Sequence, residues 1–344
     1  MTPGKIAFLG SGETSHAGGA AFERLAAELP RPVRVVILET PAGFEPNSAQ
    51  VAERISDFIR TRLAGFSAKV ELIPARKRGT AFSPDDRGIL APLLEADLVF
   101  MGPGSPTYAV RQLQGSLAWD VTRARHRLGA ALAFASAATI AVGAWSLPVY
   151  EVYKVGEDVT APPGLNLFSD FGLELSFIPH WNNAEGGKDL DTSRCFLGLE
   201  RFAAWSRCLP PSNTTVGLDE HTWLIIDLEA QSCEVGGVGG VSLVRESDSK
   251  SLRSGTRFGL RELGEYRALS PLEKGIDPGI WELIEGAARG EADRPTGEVL
   301  ELEERRREAR ARRDWTEADR LRQQIVVLGW DVQDTDADAK LVKR

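Results

Sequence analysis

The stretch Gly129-Ala-Ala-Leu-Ala-Phe-Ala-Ser136-Ala-Ala-Thr-Ile-Ala141 decides the fold. An apolar run enters Ser136, small residues flank it, and a run of Ala, Thr and Ile that suits a helix leaves it. This pattern predicts a buried strand that turns sharply into a helix with one hydroxyl at the corner. Small neighbours suit a strained, closely packed turn of this kind. Ordinary helix packing also produces alanine-rich segments, so the rest of the chain has to separate a nucleophile from a packing residue.

Short apolar runs alternate with amphipathic stretches before this segment. The predicted strands are Lys5–Leu9, Val33–Leu38, Lys69–Ile73 and Asp97–Met101, and the predicted helices are Ala20–Leu29, Ser48–Leu63, Pro106–Leu113 and a stretch to Arg127. Apolar strands that alternate with helices are typical of an α/β fold with a doubly wound, mostly parallel sheet. Ligands of such sheets bind at the carboxyl ends of the strands.

The pattern changes after the helix that follows Ser136. Leu147–Ser169 is rich in Pro, Gly and Asp and predicts a loop or lid, Glu174–Pro179 predicts a further strand, and Leu190–Leu209 is amphipathic. Four β segments follow, at Thr214–Glu220, Thr222–Leu228, Ser232–Gly236 and Val241–Arg245. Because a glycine-rich turn joins the last two, we expect an antiparallel meander on the edge of the sheet.

Two glycine-rich turns follow predicted strands. Gly10-Ser11-Gly12 closes the first strand, and Gly102-Pro103-Gly104 closes the fourth. Glycine allows backbone amides to approach a ligand or an oxyanion, although tight turns alone explain such motifs equally well. A dinucleotide site would need Gly-x-Gly-x-x-Gly, and Ser15 stands at the last of these positions, which argues against that interpretation.

Composition limits the class of protein. The 344 residues are 42% hydrophobic and 26% charged, which is ordinary for a globular protein. A net charge of −8 argues against a body that binds nucleic acid or a membrane surface by bulk electrostatics, so that only a local basic patch could do so. The start of the chain carries no cationic leader, and no apolar run approaches membrane-spanning length. We therefore expect a cytoplasmic protein without a membrane partner.

Cysteine usage gives no sign of a disulfide frame or a metal site. Cys195, Cys208 and Cys233 are odd in number and form no Cys-x-x-Cys pair. Such spacing fits reduced thiols that pack in the interior, so no metal is expected. Nothing in the sequence decides the oligomeric state, and a homodimer stays open.

Three motifs in order carry a resemblance. Ser136 after its buried strand, Phe177-Ile178-Pro179-His180, and Gly217-Leu218-Asp219-Glu220-His221-Thr222 together make residues 5–245 resemble the cyanophycinase and alpha-aspartyl dipeptidase family of serine peptidases. The fold of that family is similar to that of class I glutamine amidotransferases, a flavodoxin-like arrangement. The resemblance implies a serine-type hydrolase with no organic cofactor. Its substrate would be a small peptide or amide, cleaved next to an acidic residue through an acyl-serine intermediate.

The resemblance also implies roles for individual residues. It places the nucleophile at Ser136, the general base at His180 and the orienting acid at Glu220, with Asp219 as an open alternative. This chemistry needs a neutral imidazole to take the serine proton and a carboxylate to hold the imidazole in one tautomer. The residues expected to bind the oxyanion or the substrate are Gly104, Ala137, Gly10 and Asn182.

Two departures from the family pattern stand near these residues. The family usually has Gly-x-Ser-Ala-Gly around the nucleophile, and here Phe134 and Ala138 take the two glycine positions. Trp181-Asn182-Asn183 follows His180 where cyanophycinases tend to carry basic residues. Both departures bear on activity and on the choice of substrate.

The C-terminal residues carry a second resemblance. Leu302–Arg305, Asp314-Trp315-Thr316-Glu317-Ala318-Asp319-Arg320-Leu321-Arg322 and Gly329–Thr335 are similar to the C-terminal helical segment of cysteinyl-tRNA synthetases. The chain lacks the His-x-Gly-His, Lys-Met-Ser-Lys-Ser and zinc-binding motifs of a whole synthetase. The arginines expected to contact tRNA are Arg305, Arg306, Arg310, Arg312 and Arg313, although acidic neighbours make a simple helical hairpin an equal alternative.

These patterns divide the chain into three parts. Residues 1–247 form the amidotransferase-like hydrolase domain, residues 248–295 a polar linker with a short helix, and residues 296–344 a small helical module. The alternative function is a catalytically silent scaffold that binds tRNA or a translation partner through the C-terminal helices.

Overall fold

The computed structural model describes residues 2–246, 248–271, 273–288, 297–334 and 339–343. The chain divides into two compact units, Met1–Trp281 and Glu282–Arg344. The domain boundaries expected at residues 247 and 295–296, and Thr335 of the synthetase-like motif, lie outside the described residues.

Strands and helices alternate through the first half of the chain. The strands of the first unit are β1 Ile6–Leu9, β2 Arg34–Leu38, β3 Lys69–Ile73, β4 Leu98–Met101, β5 Ala131–Ala135, β6 Leu175–Ile178, β7 Thr214–Leu218, β8 Thr222–Asp227, β9 Ser232–Gly237, β10 Gly240–Arg245, β11 Asp248–Arg253 and β12 Arg257–Gly259. Its helices are α1 His16–Ala26, α2 Ser48–Arg62, α3 Pro106–Leu113, α4 Leu117–Arg127, α5 Ala137–Ala141 and α6 Gly198–Ser206. A further helix, α7 Pro278–Ala288, spans the boundary between the two units.

The large sheet has a parallel part of five strands and an antiparallel part of three. Within the described residues its strand order is β12-β9-β8-β1-β5-β4-β2-β3. The five strands β1, β5, β4, β2 and β3 pair in parallel with their neighbours. The pairs β1–β8, β8–β9 and β9–β12 are antiparallel. Every residue of β1, β4 and β5 is buried, because strands covered on both faces need apolar side chains throughout. The mostly parallel α/β sheet expected from the sequence is therefore confirmed.

The two faces of this sheet pack differently. On one face, Phe22 of α1 and Ile55 and Ile59 of α2 join the core with side chains of β2 and β4. On the other face, Phe8 of β1 stacks on Phe177 of β6 with ring centroids 4.0 Å apart. A second sheet of order β11-β10-β7-β6 therefore lies against the large one among the described residues.

The expected antiparallel meander is wrong in its pairing. β8 and β9 extend the large sheet beside β1, whereas β7 and β10 belong to the second sheet. The chain changes sheet at the Asp219–His221 turn, because β7 ends at Leu218 and β8 begins at Thr222. Alternating hydrophobicity identifies a strand but does not name its partner, so the sequence could not separate the two sheets.

Three further local differences separate the structure from the sequence prediction, and the first two have clear physical causes. The segment expected to be a linker instead contributes β11, which pairs with β10, and β12, which pairs with β9. β11 is an edge strand with five exposed residues, which gives it the polar composition of a linker. α1 begins at His16, earlier than expected, because the Ser15 hydroxyl caps it. The amphipathic stretch Leu190–Leu209 contains only the short helix α6.

The second unit combines two helices with a hairpin. It contains α8 Gly297–Ala311, α9 Trp315–Val327 and the antiparallel strands β13 Trp330–Asp334 and β14 Ala339–Lys343. The sequence predicts helices alone here, and the structure adds the hairpin. Its core contains Val299, Ile325, Trp330 and Val332. Gly329 has a φ of +85° just after α9, a conformation that glycine adopts readily at the end of a helix.

Two further observations concern the surface. Arg306, expected to contact tRNA, is only 2% exposed and so belongs to the interior of the second unit. None of the described helices combines the length and the apolar character that crossing a bilayer requires.

Candidate active site

Ser136 sits at the corner between β5 and α5. Its backbone has φ 51° and ψ −115°, outside the regions that ordinary residues prefer, and it is the residue before the first turn of α5. A strand that turns directly into a helix presents a serine hydroxyl at the carboxyl edge of the sheet. The strand, turn and helix expected around Ser136 are all present.

His180 and Glu220 reach the same edge from the second sheet. His180 follows β6 and also has a positive φ, 49°, and its backbone N–H donates to the Gly10 carbonyl at 3.0 Å. Glu220 lies in the turn that crosses from β7 to β8. Since Gly10 ends β1 beside β5, the junction of the two sheets brings all three side chains together.

The three side chains form a hydrogen-bonded relay. Ser136 Oγ lies 3.2 Å from His180 Nε2, and His180 Nδ1 lies 3.0 Å from Glu220 Oε1. The carboxylate can only accept, so His180 Nδ1 carries the proton and Nε2 is left to accept from Ser136. The side chains of His180 and Glu220 are 19% and 30% exposed, so the relay is partly shielded from solvent.

Two asparagines hold Glu220 in place. The buried Asn183 donates from Nδ2 to Glu220 Oε1 at 3.0 Å, and Asn182 Oδ1 accepts from the Glu220 backbone N–H at 2.8 Å. Burial favours the neutral acid, but the hydrogen bonds from His180 and Asn183 outweigh it and lower the pKa of Glu220. The sequence did not assign a role to Asn183, because its contact with Glu220 depends on the pairing of β6 with β7.

Asp219 and Glu220 point to different partners. Asp219 Oδ2 accepts from the Gly240 backbone N–H at 2.9 Å and so ties the turn to β10. Glu220 alone of the two adjacent carboxylates bonds to His180 among the described residues. The geometry therefore favours Glu220 over Asp219, which the sequence left open.

Two backbone amides lie beside the serine. Gly104 and Ala137 line the same cavity as Ser136, and neither N–H donates a hydrogen bond within the described part of the chain. Glycine is required at 104, because φ is +143° and a Cβ would lie 1.9 Å from the Pro41 carbonyl oxygen. Ala137 is the first residue of α5, where helix N–H groups have no internal acceptor.

Gly10 and Asn182 were expected to bind the oxyanion or the substrate, but their polar groups are used within the protein. The Gly10 N–H already donates to the Thr222 carbonyl at 2.8 Å, so it is not available to an oxyanion. A Cβ at Gly10 would lie 2.1 Å from the Asp219 carbonyl oxygen, which explains the glycine. Asn182 uses its carbonyl oxygen on Glu220. Both residues support the β7–β8 turn, and neither lines the cavity.

A cavity of about 260 Å³ opens beside Ser136 and His180. Its walls are mostly apolar or aromatic and include Ile140, Val149, Tyr150, Tyr153 and Phe196. Two ionisable side chains of opposite charge, Lys154 and Glu185, also line it. Apolar walls with a few polar groups are typical of small-molecule sites.

Phe134 and Ala138 leave the cavity open. Phe134 is fully buried and packs on Phe8 with ring centroids 5.7 Å apart, on the face of β5 that meets the second sheet. Ala138 lies within α5 and has a negative φ, so it needs no glycine. Neither residue lines the cavity, and these departures from the family pattern do not block Ser136.

Strained backbone concentrates around the site. Of the eleven non-glycine residues with positive φ in the described part of the chain, six belong to the segments that form it: Ser136, His180, Arg194, Cys195, Phe196 and His221. A left-handed backbone costs about 1–2 kcal/mol per residue for most side chains. Such conformations persist where surrounding structure enforces them, and they cluster at functional sites.

The three cysteines were expected to pack in the interior, and two of them are buried. Cys195 is 4% exposed, and burial, with the nearby Glu220 charge, raises its pKa to about 12. It therefore stays a neutral thiol, although it lines the cavity. Cys233 is buried, whereas Cys208 is exposed. Among the residues that the structure describes, no group of three or more His, Cys, Asp or Glu side chains could hold a metal ion.

Comparison with known proteins finds one relative that matches a short part of the chain and a solved structure with a similar fold. No family model matches the chain. A 61-residue stretch is 44% identical to the cysteine–tRNA ligase of Rubrobacter xylanophilus. That stretch is 18% of this chain and spans only 13% of the ligase.

Two solved structures resemble the larger part of the chain. A peptidase from an acI-B1 Actinobacterium has a TM-score of 0.59 at 18% identity, over 75% of this chain and 97% of that one. A putative peptidase E protein from Listeria monocytogenes EGD-e has a TM-score of 0.44 at 13% identity, over 73% of this chain and 99% of that one. The first of these likenesses shows that the chain shares the α/β fold of the actinobacterial peptidase.

Proposed function

We propose that the protein is a serine-type hydrolase that cleaves an amide or peptide bond next to an acidic residue. The observation that carries this proposal is the relay from Ser136 Oγ through His180 to Glu220, with separations of 3.2 Å and 3.0 Å. The fold shared with a peptidase and the resemblance to the cyanophycinase and alpha-aspartyl dipeptidase family support it.

Acylation begins with proton transfer to His180. Ser136 Oγ attacks the scissile carbonyl carbon while His180 Nε2 takes the hydroxyl proton, and Glu220 stabilises the imidazolium that results. The N–H groups of Gly104 and Ala137 donate to the tetrahedral oxyanion. Removing one such donor typically slows an enzyme by about 10²–10³-fold.

Collapse of the tetrahedral intermediate completes the first half-reaction. The C–N bond breaks, and His180 returns its proton to the departing amine, which leaves an ester on Ser136. A water molecule then gives a proton to His180 and attacks the ester carbonyl. The second intermediate releases the carboxylic acid and restores the Ser136 hydroxyl.

The charged side chains of the cavity favour an acidic substrate. Of the described residues that line it, Lys154 alone is a lysine or arginine, and it would pair with a carboxylate next to the scissile bond. Glu185 would repel a second carboxylate and pair with a free amino group of the substrate. The cavity of about 260 Å³ suits a small peptide rather than a folded protein.

A matched pair of dipeptides tests this function. The wild type should hydrolyse an aspartyl dipeptide faster than the isosteric asparaginyl dipeptide, and Ser136→Ala should abolish both reactions. Lys154→Met should remove the preference, whereas Lys154→Arg should retain most of it. Equal hydrolysis of the two dipeptides by the wild type would contradict the aspartyl preference, and hydrolysis by Ser136→Ala would contradict the serine mechanism.

A second candidate function, RNA binding, concerns the second unit. The 44% identity of 61 residues to a cysteine–tRNA ligase favours it, together with the exposed Arg305, Arg312 and Arg313. Arg312 Nη1 lies 3.9 Å from Glu308 Oε2. An ion pair of this kind within a helix offsets part of the positive charge of these arginines.

Salt-dependent binding to tRNA tests this second candidate in the full chain. We expect the triple substitution of Arg305, Arg312 and Arg313 by Gln to weaken binding. The slope of log K against log salt should also become shallower by about one for each phosphate that the variant no longer neutralises. The matched control is Arg201→Gln on α6. Absence of tRNA binding by the wild type at low salt would remove the candidate.

A further inference from the structure

A left-handed turn lies beside the histidine of the relay. Arg194, Cys195 and Phe196 have φ values of 58°, 59° and 68°, and no glycine is among them. Residues other than glycine normally adopt this conformation singly rather than in a run. A run of three therefore needs compensating contacts, and those contacts converge on His180 and Trp181.

Backbone groups of the turn hold both residues. The Cys195 N–H donates to the His180 carbonyl at 3.2 Å, and the Arg194 N–H donates to the Trp181 carbonyl at 3.0 Å. His180 and Trp181 also donate their own N–H groups, to Gly10 and Leu218 respectively, each at 3.0 Å. The His180 backbone is thus held by the end of β1 and by the left-handed turn, and the Trp181 backbone by the end of β7 and by the same turn.

Side chains of the turn hold the same two residues. The Arg194 guanidinium lies 3.8 Å from the ring centroid of Trp181, and its Nη1 donates a second hydrogen bond to the Trp181 carbonyl at 2.9 Å. The Phe196 ring lies 5.9 Å from the His180 ring and 5.5 Å from the Tyr153 ring. Phe196 therefore restrains the imidazole on one side and forms a wall of the cavity on the other.

Among the three side chains of the left-handed turn, Arg194 is the one whose burial is hardest to explain by packing alone. Its Nε is buried and has no hydrogen-bond partner within the described residues, so its burial is not fully compensated by polar contacts. Its planar guanidinium stacks on an indole and donates to a carbonyl at once, which a lysine could not reproduce.

We propose that Arg194 is a positioning residue for His180, acting through Trp181 and the left-handed turn to keep the imidazole between Ser136 and Glu220. The proposal rests on the proposed hydrolase function for its kinetic consequence. The position of the imidazole itself can be measured without any substrate. Arg194 touches neither the serine nor the cavity and has no role in the chemistry.

Histidine-selective ¹⁵N labelling tests the position of the ring. In the wild type we expect a downfield Nδ1 proton resonance from the hydrogen bond to Glu220, assigned by its loss in His180→Gln. Arg194→Met keeps the aliphatic volume and removes the guanidinium, and should broaden or abolish that resonance. Arg194→Lys should give an intermediate result, and Arg201→Met, at an exposed arginine of α6, should match the wild type.

Steady-state kinetics on the preferred dipeptide supply the second measurement. Arg194→Met should lower kcat by about 10- to 100-fold while KM changes by less than about twofold, since small displacements of catalytic groups have effects of this size. A parallel rise in KM or an unchanged kcat would contradict a positioning role.

The outcomes separate this proposal from the function on which it rests. Lack of hydrolysis by the wild type would contradict the proposed function, and the resonance would still decide where the ring lies. A wild-type resonance in Arg194→Met would overturn the positioning role whatever the activity. If Arg194→Met fails to fold, Arg194→Lys decides, and a wild-type resonance and kcat in that variant would equally overturn the proposal.

Discussion

At the scale of single residues, the Asp219–Glu220 pair shows how one turn gives adjacent carboxylates separate roles. Asp219 accepts from the backbone of β10, and Glu220 accepts from His180 and Asn183. The family resemblance predicted that Ser136, His180 and an acid of this turn lie together, and the structure brings these side chains within hydrogen-bond distance. Which carboxylate faces the histidine was not, because it depends on the direction of each side chain in the turn.

Glu220→Gln should greatly reduce activity. The amide cannot stabilise the imidazolium and can favour the wrong tautomer of His180, which predicts a fall in kcat of about 10³–10⁴-fold. Asp219→Asn is the matched control, since its amide oxygen can still accept from the Gly240 N–H, and it should keep kcat within a few-fold of the wild type. Equal losses in the two variants, measured on the same dipeptide, would contradict the assignment of Glu220.

Backbone amides were the hardest residues to assign from the sequence. Gly10 and Gly104 both lie in glycine-rich turns that follow apolar strands and look equivalent in the sequence, yet the Gly10 N–H is already bonded to the Thr222 carbonyl. Only tertiary pairing with β8 distinguishes them. Phe134 is a similar case, since the continuous apolar run of β5 predicts burial but does not say whether the ring faces the core or the cavity.

At the scale of elements, the end of β1 supports the β7–β8 turn through close backbone contact. Gly10→Ala would place a Cβ 2.1 Å from the Asp219 carbonyl oxygen, so the turn that carries Glu220 must move. We expect the free energy of unfolding to fall by about 1–3 kcal/mol and kcat to fall as well. The matched control is Gly65→Ala, where nothing lies within 4 Å, and unchanged stability and activity in Gly10→Ala would contradict this account.

The helix α4 carries a buried histidine that should make stability sensitive to acid. His126 Nε2 lies 2.8 Å from the Gly4 carbonyl oxygen, and burial lowers the pKa of His126 to about 4 from an ordinary 6.5. The unfolded chain takes up this proton first, so stability is lost as the pH falls from 6.5 towards 4. The decrease in the free energy of unfolding from this one group approaches about 3 kcal/mol.

Urea unfolding at pH 7 and pH 4.5 measures this effect. The wild type should lose more stability between the two values than His126→Gln, which cannot take up the proton. His16→Gln changes an exposed histidine and should behave as the wild type. Parallel losses in the wild type and His126→Gln would show that His126 does not titrate as its burial implies.

At the scale of the whole molecule, continuous apolar runs were enough to predict the parallel part of the large sheet. β1, β4 and β5 are buried on both faces, which leaves a strong signal in the sequence. The second sheet was not predictable as a separate layer, because its pairing depends on contacts distant in sequence. β11 and the C-terminal hairpin were missed since polar edge strands resemble linkers.

The site lies where the two sheets meet, and this explains which part of it the sequence could predict. Ser136 comes from the large sheet, His180 from the second, and Glu220 from the turn between them. The motifs were visible one by one, whereas the supporting contacts of Asn183 and Arg194 appear only in the folded chain.

Labelling with a fluorophosphonate, followed by peptide mass spectrometry, tests the central claim most directly. We expect one covalent adduct on Ser136 in the wild type, none in Ser136→Ala, strongly slowed labelling in His180→Gln, and normal labelling in Ser212→Ala at an exposed serine. A wild type without an adduct, or with an adduct on a serine other than Ser136, would contradict the claim that Ser136 is an activated nucleophile.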